Sequence, residues 1–367
     1  MKPKIPAAAP KPYSAFQFSF DHYVTAVAVN RGLPGQSPLI GLALGDGTVR
    51  LVRQEQGSSW QGQEVRIVDA ALAGSVLCLA ALGDGFVAGA DDGSLSLVTA
   101  QGLVERLAHH PQRWIDAVAV RRDGLVAFSL GKFVGLRLGD TELKLGPLPF
   151  SVTDLLWVRN RLAVSHFGGL SVFAGDSNWH EDEVTVQQYR WPGNHEKLKL
   201  SPDGQYLASG LRDGEIHVWR TGDFSDMQMA GYPGRVASLA WSWDSLHLVG
   251  SGIPELLGWP FDGDGPEGRP PDLLWSGFGG QDSAGAPPRI SRVASASHRF
   301  GWAVGLENGQ LVLHLDDRPK AKPLVVPLAK GRAVTALDWC DLNQPEPGAV
   351  IVAGCENGKS IIITVKL

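Results

Sequence analysis

Residues 200–219 read LSPDGQYLASGLRDGEIHVW: two short apolar runs, each preceded by an Asp-Gly turn, the second ending on an indole. A blurred copy of that phrase returns along the whole chain. Self-similarity at a fixed period of a few tens of residues is the signature of a repeat architecture and limits the possible folds more than any other feature here. Aligned on the second run, the turn and the third run, the copies lie at residues 39–52, 86–98, 125–138, 161–173, 206–219, 246–259, 301–315 and 350–365. Spread over 367 residues, they recur roughly every 46 residues.

An alternating run precedes each copy, as in VTAVAV (24–29), SVLCLA (75–80), VTDLLWV (152–158) and AVTALDW (333–339). A more polar run follows most copies, as in EVRIV (64–68) and VTVQQYRW (184–191). The unit is therefore four short antiparallel strands. Asp-Gly and Asn-Gly supply the positive φ that a two-residue hairpin needs. Small residues in the second strand let neighbouring sheets approach closely. One such sheet cannot bury both faces alone, stacking buries them, and a closed ring removes the exposed ends. The expected fold is all-β: a single β-propeller over 13–367 with eight four-stranded blades, seven being the alternative. Residues 1–12 (MKPKIPAAAPKP) read as a mobile or extended arm. The last copy stops after its third strand, so FQFSF (16–20) is expected to supply the missing fourth. Removing residues 1–20 should then open the ring, and removing 1–11 should do little.

The best copy resembles a WD40 repeat. Asn194-His195 stand where that family usually has Gly-His, SPDGQYLASG matches its strand-turn-strand core, and RDGEIHVWR matches its last third. Arg220 stands where the family's terminal Asp usually does. The resemblance implies a hydrogen-bonded chain through His195, Ser209, Asp213 and Trp219. It also implies protein or peptide partners docking on one face or at the channel mouth.

Composition narrows the function. With 45 glycines and 24 prolines the chain is turn-rich, and at 44% apolar and 19% charged it is globular. A net charge of −5 gives no footprint for nucleic acid. No run is long and apolar enough to span a membrane. The three cysteines fit no metal or disulfide spacing and suit a reducing, cytoplasmic setting. The alanine- and glycine-rich, lysine-poor style suggests a bacterial source. G-x-S-x-G, H-E-x-x-H and P-loop patterns are absent, so the expectation is a non-enzyme without cofactor.

Aromatic and Arg side chains at the ends of first strands make binding anchors. Arg113, Trp114, Arg235 and Trp241 are the candidates for a partner-binding rim. His109 and His110, read as a loop near the ring's axis, are weak candidates for a metal and carry the alternative of a metal- or ligand-binding, possibly enzymatic, channel. A structural subunit of a larger complex is the other alternative. Residues 174–183 and 262–289 are the longest departures from the repeat.

Overall fold

The computed structural model describes residues 13–32, 36–54, 65–175, 179, 183–232, 234–263, 265–277, 285–315, 322–342 and 348–366. The expected arm, 1–12, lies outside them, as do parts of both departures from the repeat, including 176–178, 180–182 and 278–284. Thirty strands make up the described chain. After β1 (Tyr13–Ser19), the first sheet is β2 (Val24–Asn30), β3 (Leu39–Leu44), β4 (Thr48–Gln54) and β5 (Val65–Ala71). The second is β6 (Val76–Leu82), β7 (Gly85–Ala90), β8 (Ser94–Val98) and β9 (Val104–His109). The third is β10 (Val118–Val120), β11 (Val126–Leu130), β12 (Phe133–Leu138) and β13 (Thr141–Leu145). A six-stranded sheet follows: β14 (Val152–Val158), β15 (Arg161–Ala174), β16 (Thr185–Leu200), β17 (Tyr206–Leu211), β18 (Ile216–Arg220) and β19 (Asp226–Met229). Next come β20 (Leu239–Trp241), β21 (His247–Gly250), β22 (Leu256–Pro260) and β23 (Asp272–Trp275). Then follow β24 (Ile290–Ser295), β25 (Trp302–Leu306), β26 (Gln310–His314) and β27 (Leu324–Pro327). The last sheet runs β1, β30 (Lys359–Lys366), β29 (Gly348–Cys355), β28 (Val334–Leu342).

This is an all-β propeller of four-stranded repeats. Among the described residues there are not eight separate sheets but seven, the alternative number, and the six-stranded one carries two sequence repeats. The cause is local. His166 Nε2 lies 2.9 Å from Ser171 Oγ, although five residues of extended chain would separate them by about 16 Å. β15 therefore doubles back, at Gly168 and Gly169, whose φ are +84 and +132. β16 likewise turns near Gly193, φ +114, so its first part pairs with β15 and its last part with β17. Hydrogen bonding thus continues from one repeat into the next.

The innermost strands follow one another round a circle. β2 touches β28 and β6; β10 touches β6 and β14; β16 touches β14 and β20; β24 touches β20 and β28. The core is shared between neighbours instead of being central. Val24 and Leu42 pack with Val350 and Ile362 of the last sheet, and Val249 packs with Val304 of the next. Second strands such as β3, β7 and β17 are buried along their full length, because both faces meet another sheet. This explains their small residues: a Cβ on Gly354 would lie 2.5 Å from Val24 Cγ1 across the seam. β1 closes the ring by pairing antiparallel with β30, from Tyr13↔Val365 to Ser19↔Lys359. The expected closing strand is thus present, slightly longer at its N-terminal end than FQFSF.

Candidate functional site

Three places hold the residues singled out from the sequence: the interior of the best repeat, the channel wall, and the two channel mouths. We call the face where innermost strands begin the leading face and the one where they end the trailing face.

In the repeat, His195 is fully buried. Its Nε2–H donates to the Trp191 carbonyl at 3.2 Å, so Nδ1 accepts from the Ser209 hydroxyl at 3.0 Å. Burial lowers the His195 pKa to about 4, which keeps the ring neutral. Asp213 does not extend this chain. It is exposed on the turn and makes no hydrogen bond with the ring. The acceptor for the imidazole is the Trp191 carbonyl instead. Trp219 is buried and meets the histidines by ring contact, 5.6 Å from His195 and 4.4 Å from His217. His217 Nε2 in turn faces Asp226 at 2.9 Å and its ring stacks on Trp191 at 3.9 Å. This assembly locks the repeat, and its histidines and Trp219 are withdrawn from solvent.

The channel wall has two unlike halves. β2, β6 and β10 present Ala, Val and Leu, while β14, β16, β24 and β28 present Asp154, Lys197, Lys199, Arg292 and Asp338. These charges stitch strands together. Asp154 accepts the Leu198 N–H at 2.9 Å and the Lys197 ammonium at 3.3 Å. The same carboxylate holds the Lys197 pKa above the ordinary lysine value. Asp338 accepts the Val29 N–H at 3.0 Å across the ring closure, and burial raises its pKa. A carboxylate taking a backbone N–H from the next strand replaces the pairing that separate sheets lack.

The four rim candidates do not form one site. Arg113, Trp114 and Arg235 precede innermost strands, so they lie on the leading face. Trp114 is 65% exposed. Arg235 pairs with Glu196 through Nε. Trp241 ends β20 at the other mouth, is buried, and donates its Nε1–H to the Lys199 carbonyl at 3.3 Å. It packs on Tyr206 and Phe261 and is a packing residue rather than an exposed anchor. The histidine pair is also displaced from its expected place near the axis. His109 sits at the end of β9, the outer strand of its sheet, and is exposed. His110 faces Glu142 at 2.9 Å. Among the described residues no three His, Cys, Asp or Glu side chains are grouped to hold a metal.

The leading face carries residues the sequence reading did not single out. Phe150 and Phe167, 45% and 49% exposed, touch edge to face at 5.0 Å. Lys132 Nζ is 5.9 Å from the Phe150 ring. A Cβ on Gly131 would meet Arg113 Nη1 at 3.1 Å, so Arg113 reaches the Gly131-Lys132 turn, whose lysine lies over Phe150. Phe150 lies in the segment leading into innermost strand β14, as Trp114 does for β10, and that shared position was the available signal. At the trailing mouth a cavity of 640 Å³ opens between the ends of β16, β20, β24 and β28, beside the exposed Trp243.

The chain was compared with known proteins. Residues 194–220 match the family model for the WD domain, G-beta repeat. Among solved structures, the chain is similar to a computationally designed protein, Ika8. The TM-score is 0.69 at 17% identity, covering 95% of this chain and 98% of that one. It is also similar to the C-terminal WD40 domain of Sif2. Here the TM-score is 0.67 at 14% identity, covering 94% of this chain and 97% of that one. No curated protein matches the sequence significantly. The chain thus carries one WD40 repeat, at residues 194–220, on a fold that it shares with β-propellers.

Proposed function

We propose that the protein is a non-catalytic interaction scaffold that docks a protein or peptide partner on its leading face. The observation that carries this reading is a set of exposed aromatics on one face, Trp114 and the touching pair Phe150 and Phe167, together with Arg113 and Lys132. Large aromatics held in the open on rigid sheet ends, next to guanidinium and ammonium groups, have the composition of interface hot spots. Because the sheets hold them in place, little ordering entropy opposes binding. WD40 propellers are typically protein-interaction scaffolds, which supports the same reading. A reducing compartment such as the cytoplasm suits the three free thiols Cys78, Cys340 and Cys355. Among the described residues no helix is long and apolar enough to cross a membrane.

The test is quantitative affinity capture from the protein's own cells with wild type, Trp114→Ala/Phe150→Ala, Arg235→Ala and a control, Leu273→Ala, on the outer strand β23. Partners kept by wild type and control but lost by the double variant support the reading. Partners kept equally by a folded double variant remove the site from consideration. Recovery of no specific partner by the folded wild type counts against a scaffold of any kind.

A further inference from the structure

We propose a second, chemically opposite docking site on the trailing face: the 640 Å³ cavity at the channel mouth takes an arginine side chain presented by a partner peptide. This is independent of the leading-face reading, since no residue is shared.

The size falls within the range of ligand pockets, and the lining sets the sign of the occupant. Asp203 and Asp244 come from twin turns in neighbouring repeats, Ser201-Pro-Asp203 and Ser242-Trp243-Asp244. In each, one carboxylate oxygen, Oδ1, accepts from the preceding serine hydroxyl and from the backbone N–H two residues on. Oδ2 has no such duty in either turn. The Asp203 N–H donates to Ser245 Oγ at 3.1 Å, which ties the two turns together. Between them stands Trp243, an indole 44% exposed on the rim. The other two indoles of the cavity are committed: Trp241 Nε1 to the Lys199 carbonyl and Trp339 Nε1 to Asp341. Lys199, the cavity's one lysine, lies near the Asp338 carboxyl, whose pKa burial raises on balance. Asp203 and Asp244 are left facing the opening.

A cation fits this charge, and arginine fits its shape. Its planar guanidinium can lie on an indole face while its N–H fork meets carboxylate oxygens, which a compact ammonium does less well. A neutral or acidic side chain would meet the two carboxylates without compensation.

The experiment is calorimetric or NMR titration of the whole chain, at low ionic strength, with the capped peptide acetyl-Gly-Gly-Arg-Gly-Gly-amide and its citrulline counterpart, equal in shape but uncharged. Saturable binding of the arginine peptide is expected, with the citrulline peptide about tenfold weaker or worse. The variant Asp203→Asn/Asp244→Asn keeps Oδ1 for the turns and removes both charges. It should lose about tenfold or more in affinity. Trp114→Ala, on the other face, should bind as wild type. Four results overturn the proposal: no saturable binding up to about 1 mM, equal affinity for both peptides, unchanged affinity in the folded double variant, or loss of affinity in Trp114→Ala. Should the double variant not fold, Trp243→Ala, which alters an exposed side chain, must weaken binding or the proposal fails.

Discussion

At the residue scale, the best repeat shows which of its conspicuous side chains act in folding. His195 satisfies a buried hydroxyl and a buried carbonyl at once, while Asp213 is exposed on the turn. Replacing His195 with Ala leaves both partners unpaired around a new void, and should cost about 2–4 kcal/mol. Asp213→Ala should stay within about 0.5 kcal/mol of wild type. Urea midpoints of the two variants check the pair; equal losses would restore the carboxylate to the chain. Burial also lowers the pKa of His195 and His314 to about 4 from an ordinary 6.5. Between those values the unfolded chain binds protons that the folded one refuses. Stability is therefore whole above pH 6.5 and declines as pH falls toward 4, by up to roughly 1.4 kcal/mol per pH unit for each histidine. Urea unfolding at pH 7, 6 and 5 measures that slope, and His314→Leu should make it shallower by its own share, leaving that of His195.

At the element scale, hairpin turns and second strands impose different demands on glycine. Gly309 and Gly204 both have positive φ, +82 and +73. A Cβ on Gly309 would lie 1.5 Å from the Ala329 carbonyl oxygen, whereas one on Gly204 would meet nothing within 4 Å. Gly204→Ala should therefore cost only the left-handed penalty, about 1–2 kcal/mol. Gly309→Ala must also displace the Ala329 backbone in the loop after β27 and should cost more than about 3 kcal/mol. Chemical denaturation of the two variants decides it; equal costs would mean that the Ala329 backbone yields freely. The elements were also where the repeat pattern was most legible. Every second and third run found in the sequence lies on a strand, because alternation and turn residues act over a few positions. What escaped was the continuity of β15 and β16, where glycine turns let one sheet run into the next.

At the scale of the whole molecule, the ring is held by β1 on β30 and by side chains bridging innermost strands, such as Asp338 to Val29. Removing residues 1–20 uncovers β30, whose Ile361, Ile362 and Ile363 are fully buried in the intact ring. The thermal midpoint should fall by more than about 10 °C, with dye-binding apolar surface exposed. A midpoint within about 2 °C of wild type would show that the ring does not depend on this strand.

The sequence by itself determined the repeat, its strands, the closing strand and the absence of familiar catalytic motifs. Those depend on local chemistry: alternation, positive-φ turns, and small residues where sheets touch. Only the tertiary structure decided that the described strands form seven sheets, that Trp241 is a packing residue, that His109 lies on an outer strand, and that the Trp191 carbonyl takes the His195 hydrogen bond. It alone put Phe150 against Phe167, and the Asp203 turn against that of Asp244. The reason is physical. Residues about 40 positions apart become neighbours only when the ring closes, and whether an indole faces solvent or the next sheet depends on what that sheet presents to it.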